Sequence, residues 1–441
     1  MNWKDFDVLK IGRCVGTLEY RQETIDIAFT VEWRKRRSIH LNLEPIVISD
    51  HTIRLVERLY RGEKGDRRVP RFSIKAQTAD SRLLTTDHAR LKSYSGGGQI
   101  RPDIELGQVE IRSLDRFPAK GQESSPRVEY YSKGQLGFDQ PTVTHDLGTV
   151  WLHGESKLSP DLSAYTGIVG IDGRATHCIT DWLEESDRLV VRVLQMLSLA
   201  HGRQFYWEIR RVFVDEKFTS ILVRPQPDPQ NMRAALFHHL DLQPVLEMAV
   251  EEFTDELDER TGLGVAISWF LSVTASSESQ FLHMMIALEH LVDVYSERSP
   301  SAAVVPKAFF KKVVRPKIIK ALNELVGQEC KTGNKFSCEH VGEIDRGMGN
   351  ANRRSLESRL QQMLQSYGVE VADLEGDFRQ LVQMRNAVVH QGLFRGSAEV
   401  ERLRNIAEEL LVRVFLTLLN HKGYYNSPVY DLKWRQLPRC S

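Results

Sequence analysis

The hydrophobic period of this chain changes near its middle, and the change coincides with Pro225-Gln-Pro-Asp-Pro229. Three prolines at alternate positions cannot continue a strand ladder and favour a stiff, extended linker. Upstream the period is two. Ile25, Ile27, Phe29, Val31 and Trp33 alternate with Asp26, Ala28, Thr30 and Glu32, the pattern of a half-buried strand. Ile39, Leu41 and Leu43 repeat it, and Arg34 to Arg37 fits the hairpin connection between the two. Further strands are predicted over 109–114, 149–152, 205–214 and 219–223. One helix is predicted in this half, over about 181–200, stopped by Gly202. Gly96 to Gly98 lacks the Lys-Ser/Thr that follows a phosphate loop and is assigned to a loop.

Downstream the period is helical. Helices are predicted over about 233–259, 263–275, 278–297, 306–326, 351–366, 372–391 and 397–421, with a loop over 328–350. Their lengths and short connections suit a helical bundle. At roughly 100–200 residues per domain, the 441 residues are expected to form an α+β multidomain protein. A mainly-β N-terminal region, 1–229, is expected to end in the linker 225–229. An all-α helical-bundle domain follows over 230–425, then a C-terminal tail over 426–441. Few helix-length crossovers exist in the first half, so its sheet is expected to be antiparallel.

Composition narrows the partner classes. Lys+Arg and Asp+Glu are both 59, so the net charge is zero. That excludes a protein holding nucleic acid by bulk charge and leaves room for a local basic patch. No apolar run reaches the roughly 18 residues of a membrane span. The start, Met-Asn-Trp-Lys-Asp, lacks the apolar core of a secretory signal. Five scattered cysteines argue for a reducing compartment, so a cytoplasmic location is expected. Cys330 and Cys338, with His340 nearby, lack the second cysteine pair of a zinc site. No nucleophile elbow, His-Glu-x-x-His or dinucleotide fingerprint occurs, and no metal or cofactor is expected.

The segment with chemical content runs from Phe378 to Gly392. Phe378, Leu381, Val382, Val388 and Val389 form an apolar stripe at helical spacing, and Arg385 falls between Val382 and Val389. A guanidinium there needs a partner, a wet cavity or an interface. Asn386 and His390, four apart, share the neighbouring side of the helix, and Gly392 is expected to end it. Spacing alone is uninformative, because Arg82 to His88 and Arg233 to His239 are similar. The apolar stripe and the following Asn distinguish Arg385.

Arg385-Asn386-x-x-x-His390 resembles the Arg-x(4–6)-His motif of the HEPN superfamily. The segment Phe281 to Leu291, with its Ala-Leu-Glu core, is similar to the earlier helix of ApeA-like HEPN domains, and a β-rich region before a helical bundle is similar to their architecture. The specific resemblance covers about 278–422; for the first half it is one of architecture only. It implies a metal-independent endoribonuclease of toxin, abortive-infection or antiphage type, a homodimer whose motif helices meet in one composite site, and a sensor or regulatory role for the N-terminal region 1–229, with a phage-derived or other protein trigger there. His390 would then move protons near neutrality. Arg385 would hold the phosphate, and Asn386 would orient the phosphate or His390. Glu289 would support the site, and Lys307, Lys311, Lys312 and Arg315 would contact RNA phosphates. The alternative is a non-catalytic HEPN module for dimerisation and for binding RNA, nucleotide or protein. A third class is a structural adaptor.

Overall fold

The structure, a computed structural model, describes residues 12–34, 38–44, 50–61, 70–95, 101–113, 123–133, 140–154, 165–176, 178–224, 226, 235–237, 242–272, 276–299, 303–332, 337–348, 352–391, 397–429 and 433–437. The chain divides into two compact units, Met1–Glu251 and Glu252–Ser441. The architecture is α+β, with a barrel-rich region over 14–223 followed by helices. The Arg34–Arg37 connection beyond Arg34, the glycines at 96–98 and, apart from residue 226, the proline-rich stretch 225–229 lie outside the described residues.

The first unit runs β1 (Cys14–Tyr20), β2 (Glu23–Arg34), β3 (Ser38–Leu43), α1 (Asp50–Arg61), β4 (Phe72–Thr78), β5 (Arg82–Ser95), β6 (Arg101–Leu106), β7 (Val109–Ser113), β8 (Pro126–Lys133), β9 (Thr142–His145), β10 (Gly148–Gly154), β11 (Tyr165–Gly173), α2 (Ile179–His201), β12 (Trp207–Val214) and β13 (Lys217–Val223). The pairings β4–β1–β2–β3–β6–β5 return to β4 and close a ring. From β5 the sheet continues outward as β7–β13–β12–β8–β11–β10–β9. These strand pairs are antiparallel. The alternation at 25–33 does what its period dictates: Ile25, Ile27 and Phe29 enter one core with Ile39, Leu41, Ile74, Leu84 and Ile104.

The strands expected at 109–114, 149–152, 205–214 and 219–223 are β7, β10, β12 and β13. The helix expected over 181–200 is α2, and Gly202, at φ 64°, closes it by donating to the Leu199 and Ser198 carbonyls. Helix α1 is absent from the sequence expectation. Its buried residues Leu55, Val56 and Leu59 have helical spacing, but over a single short segment.

The remaining helices are α3 (Leu242–Glu247), α4 (Asp255–Thr261), α5 (Leu263–Leu271), α6 (Ser277–Arg298), α7 (Lys307–Phe309), α8 (Arg315–Thr332), α9 (Cys338–Gly347), α10 (Leu356–Tyr367), α11 (Phe378–Asn386) and α12 (Ser397–Leu418). Helix α3 packs on α2 and β9. Its Gln243 donates to the Thr142 carbonyl and accepts from the Thr142 N–H, both at 3.2 Å.

Several expected boundaries move. The helix expected over 233–259 is broken, because Thr254 leaves the helical path to cap α4. The loop expected over 328–350 contains α9, whose start is capped by Ser337 and His340. The helix expected over 306–326 is divided by the π-helical turn Phe310–Val314 into α7 and α8, and Pro316 lies in the first turn of α8 directly after it. The segment expected as a tail enters a hairpin of β14 (Tyr424–Ser427) and β15 (Lys433–Gln436). Buried Glu409 of α12 anchors it, accepting from the Tyr425 hydroxyl and, at 2.6 Å, from Ser427.

Candidate functional site

Helix α6 lies at the centre of the second unit. Phe281, Met284, Met285, Leu288, Leu291 and Val292 are buried, and the helix packs against α12, α5 and α10. Ser276 caps its start by accepting from the Ser279 N–H at 3.2 Å. Its remaining stripe, which includes Ile286, Glu289 and Asp293, keeps partial access to solvent.

Arg385, in the last turn of α11, reaches Glu289 on that stripe. The guanidinium donates through Nε and Nη2 to the two carboxylate oxygens at 2.5 and 2.9 Å, and through Nη1 to Asn386 Oδ1 at 3.2 Å. Two parallel bonds fix the plane as well as the position of the guanidinium. Both side chains are about one-quarter exposed, 25% and 26%.

The expected stripe needs one correction. Phe378, Leu381, Met384 and Val388 are buried, whereas Val389 is 52% exposed. Met384 shifts the buried face away from Arg385, which sits at its border rather than its middle. Downstream of Asn386 the helix changes to a π segment, Ala387–Gln391. Hydrogen bonding from i to i+5 replaces the α pattern there. The backbone of His390 belongs to this segment; its side chain and Gly392 lie outside the described residues.

The basic residues have different surroundings. Lys307 opens α7, and Lys311 and Lys312 lie in the π turn Phe310–Val314; all three are exposed. Arg315 donates to Asp345 of α9 at 2.7 Å. Hydrogen bonding to Arg315 holds the Asp345 carboxyl below its ordinary range. His340 is used in the cap of α9, where Ser337 N donates to its Nδ1 at 3.0 Å.

A concavity lies on the sheet of the first unit, a feature absent from the sequence expectation. Arg127, Glu129, Tyr131, Trp151, Arg211 and Phe213 line it. The Trp151 indole lies over Gly170, where an added Cβ would come within 2.0 Å of the ring. Arg127 stacks at 5.4 Å from the Trp151 centroid and Arg211 at 5.0 Å from that of Phe213. Glu129 accepts from the Tyr131 hydroxyl at 2.6 Å and from Arg127 at 2.7 Å. Burial, then the bond to Glu129, pushes the Tyr131 phenol up to about 12. The available signal is the alternation of Arg127, Glu129 and Tyr131 on one strand, which places all three on one face.

Comparison with protein-family models, with curated proteins and with solved structures finds no match for this chain.

Proposed function

We propose that this chain is a HEPN-type, metal-independent endoribonuclease of the cytoplasm, an ApeA-like defence effector of toxin or abortive-infection type. The observation that carries the reading is the clamped guanidinium: Arg385 is held at two points by Glu289 and touches Asn386, at the mouth of the π segment that carries His390. π segments recur at functional sites in helices. In the proposed step the ribose 2′-hydroxyl gives up its proton and its oxygen bonds to phosphorus. The P–O5′ bond breaks, and O5′ takes a proton. The products are a 2′,3′-cyclic phosphate and a 5′-hydroxyl. His390 moves protons in this step. Arg385 holds the phosphate as charge develops on it, and Asn386, which accepts from Arg385, orients the phosphate or His390.

One arginine and one histidine make a sparse phosphate site, so the reading includes a twofold homodimer that brings two copies together. Ile286, one turn before Glu289, and Val389, one turn after Arg385, are exposed apolar residues on the two helices that such a contact would bring together. The N-terminal barrel region would receive a phage-derived or other protein trigger. Among the described residues no helix is long and apolar enough to cross a membrane.

The competing reading is a non-catalytic module that dimerises and binds RNA, nucleotide or protein. It is favoured by the completeness of the Arg385–Glu289 pair, which already satisfies the charge. Purified protein incubated with total RNA in EDTA, followed by end-group analysis, separates the two. The nuclease reading expects cyclic phosphate and 5′-hydroxyl ends that vanish with His390→Ala. Equal cleavage by wild type and that variant would hand the case to the binding module.

A further inference from the structure

The exposed stripe of α6 carries a second arginine cluster one turn beyond Glu289. Asp293 Oδ1 accepts from Arg359 Nη1 at 2.7 Å and also from Arg353 Nη2. The two arginines differ. Arg359 is buried, with a side chain only 8% exposed, and it also donates to the Arg354 carbonyl at 3.2 Å. It compensates the Asp293 charge from beneath. The Arg353 side chain is 45% exposed and shares a carboxylate that already has its cation. Glu289 and Asp293 therefore face Arg385, Arg353 and Arg359, two negative charges against three positive. The surplus sits on Arg353. Glu297, exposed one turn further along α6, limits it on that side.

The position of Arg353 is fixed. Its backbone bridges Ala303, and the neighbouring Asn352 clamps the Val305 backbone, accepting from its N–H at 2.9 Å and donating to its carbonyl at 2.8 Å. The clamped segment leads directly into Lys307. Glu289 and Asp293 are four residues apart, about 6 Å along the helix axis. A stacked strand advances about 3.4 Å per nucleotide, so a guanidinium over Asp293 lies one or two phosphates from one over Glu289.

We propose that Arg353 is a second phosphate-holding residue of this site, taking the RNA phosphate one or two nucleotides from the scissile one, so that the substrate is a single strand of at least three nucleotides and not a dinucleotide. This rests on the ribonuclease reading of Arg385. The test uses the full chain and 2′-O-methyl RNA, which lacks the attacking hydroxyl, as a dinucleotide and as a decamer. Fluorescence anisotropy across a salt series follows binding. Arg353→Ala should weaken decamer binding about tenfold and lower the slope of log affinity against log salt by about 0.7. Dinucleotide binding should be unchanged, and Arg353→Lys should recover most of the loss. With cleavable RNA, KM should rise and kcat hold.

Equal losses on both lengths, or no loss on either, would overturn the inference, as would a wild type that does not bind the decamer. The anisotropy needs no turnover and therefore judges Arg353 separately from the nuclease reading. Wild-type cleavage with an Arg353→Ala protein indistinguishable from it removes only Arg353. Absence of cleavage by wild type removes the nuclease reading, whatever the anisotropy shows.

Discussion

Arg413 on α12 and Arg385 on α11 each engage a carboxylate on a helix, and the two sites differ in nearly everything else. Arg413 is 1% exposed. It donates to Glu409 at 2.9 Å, to both oxygens of Asp373 at 2.7 and 2.8 Å, and to the Glu370 carbonyl at 2.9 Å. Glu409 in turn takes the Tyr425 and Ser427 hydroxyls. A buried charge tolerates burial only when its hydrogen bonds are made in this way. Arg385 has one carboxylate, one amide and an opening to solvent. Its pair gives up little when another anion arrives, because water already screens it. The same residue type is thus enclosed and fully bonded at one site and open to solvent at the other, where the proposed reading has it take a phosphate.

The largest expected effect separates chemistry from stability. Arg385→Ala and His390→Ala should each lower RNA cleavage by about 10²–10⁴-fold. The Arg385→Ala protein should stay within about 1 kcal/mol of wild type in urea denaturation. Arg413→Ala should reverse the pattern, losing about 3–5 kcal/mol because Glu409 and Asp373 keep their charges without a guanidinium. Equal denaturation midpoints for the two arginine variants would erase the distinction between the sites.

Glu289→Gln comes next. It keeps the shape of the clamp and removes the charge, so stability should change by less than about 1 kcal/mol. Cleavage should fall about tenfold as Arg385 loses a charge-assisted two-point hold. A rate equal to wild type would demote Glu289 to a surface partner.

The smallest effect is a pH dependence of the buried tie. Burial, followed by the bond to Glu409, raises the Tyr425 phenol above its ordinary value. A raised pKa contributes stability that is complete below the unfolded phenol's pKa, about 10, and is lost as pH climbs toward the folded value. Tyr425→Phe should therefore be less stable than wild type at pH 8 and should lose less of its stability between pH 9 and 11. Parallel pH profiles for the two proteins would show that Tyr425 does not titrate with unfolding.

Local features were legible in the sequence. Alternation at Ile25 to Phe29 announced a half-buried strand, and Gly202 marked the end of α2, because period and cap chemistry act over a few residues. The Glu409–Arg413 contact spans one helical turn, but nothing within that turn discloses Asp373 or Tyr425. The Glu289–Arg385 contact spans 96 residues. Both residues lie on helices that the periodicity locates, whereas the rotation that turns them toward each other depends on how α6 and α11 pack. Met384 shows the same limit: a flexible core side chain left out of the stripe displaced its centre and put Arg385 too deep. Helix α9 was missed because most of its residues are exposed and give no apolar period.

The Gln243 contact with β9 has a consequence for the whole sheet. β9 ends the run of strands that leaves the barrel, and a terminal strand offers bare N–H and C=O groups to any other extended chain. A primary amide carries the same donor and acceptor as a peptide group. Gln243 therefore imitates one residue of a neighbouring strand at Thr142. Its carboxamide occupies the rung that an added strand would take at Thr142, so a side chain on a helix shields that point of the edge.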